Sequence, residues 1–286
     1  MGNIAIITDS NSGISQEWAK ELGIYVIPMP FTIDGKEFLD GVTLFPENFY
    51  AYLEQDADMC TSQPSPESIT KLWDELLQTH DEIVHIPMSS GLSGSCQTAR
   101  MLAEDYDGRV QVVDNQRISV TQVCSVLDAL HLAAAGRSAA QIREALEREG
   151  LEASIYIMVP TLKYLKKGGR VTPAGAALGT MLRLKPVLQI QGEKLDAFAK
   201  VRTVNAAKCT MLDALHKDRK ERFADVRMQF AIAHTRNEAA AQEFKKEIEA
   251  EFPDQTNILV HELSLSVACH IGAGALACGC AKIMEV

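Results

Sequence analysis

Short apolar runs alternate with longer amphipathic stretches along the first half of the chain. Residues 4–7, 25–27, 83–88, 110–113 and 155–159 are apolar runs too short for helices and read as buried strands. Between them the spacing predicts helices over 14–22, 46–54, 66–77, 96–106, 119–135 and 139–149. Punctuation agrees. Pro46 and Pro66 suit first helical positions, Ser65 and Ser138 suit N-caps, and Gly136 suits a helix end. Strands alternating with helices predict a parallel sheet with helices on both faces, an α/β three-layer domain. Within it, Asp34-Gly35 flanked by alternating residues predicts a hairpin over 31–38.

After Pro160 the pattern changes, and the domain boundary is expected there, giving domains 1–160 and 161–286. A short basic helix over 161–167 is closed by Gly168-Gly169, and Thr172-Pro173 opens another running to 182. Residues 186–191 and 195–201 flank Gly192 as a second hairpin. A helix (203–216), a strand (228–233), a helix (237–249), a strand (257–262) and a final apolar strand from Gly274 follow. That order predicts an α+β domain with a mixed sheet.

Length and composition fit two ordinary globular domains: 286 residues, 47% hydrophobic and 23% charged. The net charge of -10 argues against wrapping nucleic acid or adhering to anionic lipid, although 163–170 is locally basic. Seven cysteines are scattered. The nearest pair, Cys278-x-Cys280, is half a zinc site without a second half, so these thiols read as small buried residues in a reducing compartment. The N-terminus shows no signal-peptide pattern, and no apolar run reaches the ~18 residues of a membrane span. The expectation is a cytoplasmic protein, not an integral membrane protein, with no metal and no cofactor.

Candidate chemistry concentrates at one strand-turn-helix junction, Ser89-Ser90-Gly91-Leu92-Ser93-Gly94-Ser95. Small residues let a ligand approach the backbone, and a first helical turn offers unpaired N–H groups at a positive dipole end. Without a Lys or Arg in the turn, this suits one small anionic group held by hydroxyls and N–H groups. A second hydroxyl-rich loop, Thr61-Ser62-Gln63-Pro64-Ser65-Pro66, is available to converge with it. Asp9, Ser10 and Ser12 follow the first strand, either as ligand positions or as helix caps. His270, ahead of Gly272 and Gly274, is either a structural donor or a reactive group. Ser93, His270 and Asp9 could be cast as a hydrolytic triad, but the Gly-x-Ser-x-Gly elbow is missing around Ser93. No Walker A sequence occurs, nor Gly-x-Gly-x-x-Gly after the first strand, which removes the simple nucleotide readings.

Four signatures together resemble the DegV family, which includes the fatty-acid-binding subunit (FakB type) of bacterial fatty acid kinase. They are Thr8-Asp9-Ser10, the loop 61–66, the loop 89–95, and His270-Ile271-Gly272-Ala273-Gly274. Stretches 166–171 and 200–202 are also similar to the family's second domain. The resemblance implies two α/β domains with one long-chain fatty acid buried between and within them. It places the carboxylate on hydroxyls of Thr61 and Ser93 and N–H groups of Ser62 and Gly94, with His270 nearby. Arg202 would face the kinase partner or the acyl-phosphate. The implied role is a non-catalytic carrier that meets an ATP-dependent kinase subunit and, transiently, an acyltransferase of phospholipid synthesis. Three positions depart from the family pattern: Ser95 for Thr, Cys96 for an aromatic, and Ala273 for Pro. The acyl tunnel is expected along Leu162, Leu165, Ala176, Leu178, Met181 and Leu182 of the second domain. The rivals are a Ser/His hydrolase of small esters and a lipid-sensing regulator without a kinase.

Overall fold

The apolar runs of the first half become β1 (Ile4–Asp9), β2 (Tyr25–Ile27), β3 (Pro30–Ile33), β4 (Lys36–Leu39), β5 (Met59–Thr61), β6 (Glu82–Ile86) and β7 (Val110–Val112). The structure, a computed structural model, describes residues 2–170, 172–174, 184–192, 194–224, 226–255 and 257–285. Among the described residues, the order β2-β1-β6-β7 makes a parallel sheet and β4-β3-β5 a small antiparallel one. Asp34 (φ 47°) and Gly35 (φ 76°) are both left-handed, as a two-residue hairpin turn between twisted strands demands.

Helices α1 (Gln16–Leu22), α2 (Pro46–Glu54), α3 (Pro66–Leu76), α4 (Ser95–Ala103), α5 (Ser119–Ala134) and α6 (Ala139–Arg148) connect these strands. Ser15 caps α1, Ser65 caps α3, and Ser138 with Gln141 forms a reciprocal capping box on α6. One core packs Ile7, Ile69, Trp73, Ile83, Cys96 and Ala99 together. It seats α3 and α4 against the parallel sheet.

Further on lie β8 (Ala153–Met158), α7 (Lys163–Gly168), β9 (Lys185–Ile190), β10 (Asp196–Val201), α8 (Val204–Glu221), β11 (Met228–His234), α9 (Glu238–Glu251), β12 (Leu259–Glu262), α10 (Leu265–Ile271) and β13 (Leu276–Lys282). The second sheet runs β10-β9-β8-β13-β11-β12 and is mixed, with only β11 and β12 parallel among its pairs. Its core gathers Met211, Leu215, Phe230, Phe244 and Ile248 around the sheet.

The chain forms two compact units, Met1–Leu151 with Ser264–Ser266 and Met284–Val286, and Glu152–Leu263 with Val267–Ile283. The division precedes β8, not Pro160. β8 is an apolar run like those of the parallel sheet, but it pairs antiparallel with β13 and β9. Periodicity identifies a buried strand without naming its neighbours. Leu162 and Leu165 are buried. Of the expected helix over 173–182 the first two residues, Pro173 and Ala174, are helical, and Ala176, Leu178, Met181 and Leu182 lie outside the described residues. The hydrophobic pattern does not predict α10. No helix among the described residues is long and apolar enough to cross a membrane.

Candidate functional site

The loop between β6 and α4 is bound mainly to itself. The carbonyl of Ser89 accepts from the N–H groups of Leu92 (3.0 Å) and Ser93 (3.2 Å), and its hydroxyl accepts from Gly91 N–H at 3.2 Å. Ser93 Oγ then accepts from Ser95 N–H at 3.2 Å. Gly94 is the N-cap of α4 and has no side chain to close the helix end. Among the described residues no acceptor faces the N–H groups of Gly94, Cys96 or Gln97. Ser95 Oγ is buried in the same turn and also has no partner. A buried hydroxyl without a hydrogen bond is costly unless a ligand or water completes it.

The second loop meets this turn through Gln63. Its Nε2 donates to Thr98 Oγ1 at 3.1 Å, one turn into α4. A Cβ on Gly94 would stand 3.1 Å from Gln63 Oε1, so glycine there keeps the loops close and the N–H uncovered. Thr61 ends β5 opposite Phe31 and is half-buried, and Ser62 is exposed beside it. One implied contact is corrected. The Ser62 N–H already donates to Pro30 O at 3.0 Å, extending the β3–β5 ladder, so Ser62 offers only its hydroxyl. Gln63 and Thr98 were missed by sequence reasoning. Only the loop register shows that an exposed glutamine ties two segments together.

The signature after β1 serves the fold. Asp9 Oδ2 accepts from Met88 N–H at 2.8 Å, while Oδ1 accepts from Asn11 N–H, Asn11 Nδ2 and Gln122 Nε2. Both carboxylate oxygens are thus engaged by donors of the first unit. Burial pushes the Asp9 carboxyl upward despite these donors. Ser10 Oγ donates to Asp40 Oδ2 at 2.9 Å and accepts from Met29 N–H at 3.1 Å. Ser266 Oγ donates to Asn11 Oδ1. Ser12 Oγ donates back to Asp9 O and accepts from Ile14 N–H. None of Asp9, Ser10 and Ser12 caps α1, whose cap is Ser15; Asp9 instead caps a single 3-10 turn over Ser10–Ser12.

In the second unit, His270 stands in the last turn of α10, and Gly272 follows as a left-handed residue (φ 79°) whose N–H returns to Ala268 O. Thr235 clamps the exit: its hydroxyl donates to Gly272 O at 2.7 Å and accepts from Ala275 N–H at 2.9 Å. A Cβ on Gly168 would overlap the His270 ring, so α7 approaches the imidazole through a bare backbone. Burial, and after it the charge of Arg170, pulls His270 down to about 4, leaving a neutral imidazole at ordinary pH. Arg202 follows β10, is exposed, and makes no ion pair or hydrogen bond among the described residues. Thus Thr61, Ser62, Ser93 and Gly94 belong to the first unit, and His270 and Arg202 to the second. No three His, Cys, Asp or Glu side chains among the described residues cluster closely enough to hold a metal ion.

A family model described as uncharacterised protein, DegV family, matches residues 3–282. The chain belongs to the DegV family. A DegV domain-containing protein of Deinococcus radiodurans is 31% identical over 275 residues, covering 96% of each chain. Another, from Listeria monocytogenes, is 30% identical over 276 residues and also covers 96% of each. Among solved structures, a DegV family protein from Thermus thermophilus described as fatty acid binding superposes with a TM-score of 0.90. It is 31% identical, with 98% of this chain and 99% of that one covered. DegV from Bacillus subtilis, described as a fatty acid binding protein, superposes with a TM-score of 0.87 at 26% identity, covering 99% and 100%. The parallel sheet and the mixed sheet described above are the DegV fold.

Proposed function

We propose that this DegV chain binds a long-chain fatty acid with its carboxylate at the first turn of α4. One observation carries the reading: the turn leaves the Gly94 N–H without an acceptor and the buried Ser95 hydroxyl without a partner. Ser93 lies in the same loop, and the resemblance adds the hydroxyls of Thr61 and Ser62 to the set. These donors, with a helix dipole and no cation in the turn, suit one carboxylate. The fatty-acid binding of DegV relatives with the same fold supports the ligand class.

Energetics favour such a cargo. Each buried methylene contributes about 0.8 kcal/mol, so a chain of about 14 gives roughly 11 kcal/mol gross. Lost freedom on binding offsets part of this. The head group must remain hydrogen-bonded, since an unpaired buried carboxylate is costly.

The role is that of a carrier. It holds the acyl chain, presents the carboxylate to an ATP-dependent kinase subunit, and yields acyl-phosphate to an acyltransferase of phospholipid synthesis. Donors without a fixed cation accommodate the acid and its phosphorylated form alike. His270 enters as an uncharged head-group partner, and Arg202 as the exposed cation for the kinase or the acyl-phosphate; the resemblance of their motifs supports both. Native mass spectrometry of the purified protein, followed by extraction and lipid analysis, tests the reading. A stoichiometric fatty acid is expected. A chain that is empty and takes up no added fatty acid overturns it.

A further inference from the structure

Two residues that are not glycine hold left-handed backbone in the connection from β7 to α5: Gln116 (φ 57°) and Ser119 (φ 54°). Such conformations are uncommon outside glycine and persist where surrounding contacts over-determine them. Between them lies Arg117, 3% exposed. Its guanidinium donates to the carbonyls of Glu149 (2.7 Å) and Gly150 (3.2 Å) at the end of α6, and to Ser125 Oγ at 3.3 Å. Asn115 Nδ2 donates to the same Ser125 hydroxyl at 2.7 Å. Gly150 has no room to change, because a Cβ there would meet the Asn115 carbonyl at 2.7 Å.

What this locked segment holds is Ser89. The carbonyl of Arg117 accepts the Ser89 N–H at 2.8 Å, and Asp114 Oδ1 accepts the Ser90 N–H at 3.4 Å. Ser89 in turn receives the N–H groups of Leu92 and Ser93 on its carbonyl. A continuous set of hydrogen bonds therefore runs from the end of α6 through Arg117 and Ser89 to Ser93, whose hydroxyl orders Ser95 N–H at the start of α4. We propose that Arg117 is a positioning residue for the carboxylate site, fixing the Ser93–Gly94 donors through Ser89 without touching the ligand. This rests on the fatty-acid reading for the ligand and on the geometry alone for the positioning.

The test compares Arg117→Lys and Gly150→Ala in the full chain, with dodecanoic acid and 1-dodecanol as probes of equal chain length. A displaced donor set weakens the acid about 10-fold, the scale of one charge-assisted hydrogen bond, and leaves the alcohol within about 2-fold. Equal losses for both probes, or no loss in a folded variant, overturn the proposal. Should either variant fail to fold, Ser125→Ala replaces it, because it removes the hydroxyl that receives both the Arg117 guanidinium and Asn115 Nδ2. Amide hydrogen exchange of Ser89 and Ser93 is followed in the same variants without ligand. Faster exchange confined to this loop is expected, and unchanged exchange overturns the proposal even if the wild-type chain binds neither probe. Failure of both probes on the wild type with altered exchange overturns the ligand reading only.

Discussion

The buried carboxylate of Asp40 accepts the backbone N–H of Ser266 at 3.3 Å, across 226 positions of sequence. It thereby serves the first turn of α10, taking the Leu265 N–H as well, while Ser10 donates to the same oxygen. Burial raises Asp40 to about 6 from an ordinary 3.8. The folded chain then holds this proton more tightly than the unfolded one. Its contribution to stability is full below about pH 4 and lost as pH rises through 6, about 3 kcal/mol in all. Asp40→Asn removes this dependence. The wild-type minus variant difference in unfolding free energy, from urea melts, should fall between pH 4 and 6 and be flat above pH 7.

Thr61→Ala with Ser93→Ala should weaken fatty-acid retention at least about 10-fold while the chain stays folded. Thr61 is half-buried at a strand end and Ser93 half-buried in a loop, so neither supports the core. Lipid content of the purified double variant, read beside its circular dichroism melt, checks this. Full retention would remove both hydroxyls from the site.

Gly272→Ala should destabilise the second unit by about 2 kcal/mol or more. The left-handed backbone disfavours a side chain, and a Cβ would come to 2.5 Å from the Tyr164 ring. Tyr164→Ala in the same chain should recover part of the loss, because it removes the overlap but not the backbone strain. Thermal melts of the two singles and the double separate these contributions.

Arg202→Ala should leave fatty-acid binding and melting temperature unchanged, since the side chain is exposed and bonds to nothing among the described residues. Phosphorylation of bound fatty acid by a cognate kinase should fall. Loss of binding along with phosphorylation would make Arg202 structural.

Much of the site could be read from residue types. The small hydroxylated turn before α4 and the cap at Ser65 follow from local preferences that act within a few residues. Thr8-Asp9-Ser10 was equally visible, yet its use was not. Whether a carboxylate after a strand meets a ligand or caps a turn depends on which donors arrive, and Met88 and Gln122 arrive from distant segments. The same limit applies to Ser62, whose N–H looked available until its partner Pro30 was located.

By itself the sequence determined most of the strands and helices, β5 and α10 excepted, the α/β and α+β halves, the Asp34-Gly35 hairpin and the hydroxyl-rich loops. Each depends on short-range periodicity or on one residue's conformational freedom. Tertiary structure alone decided that β8 joins the second sheet, that Gln63 ties the loop after β5 to α4, and that Asp40 serves α10. Strand partners and buried hydrogen bonds between distant segments are chosen by the free energy of the whole packed unit, which no local window contains.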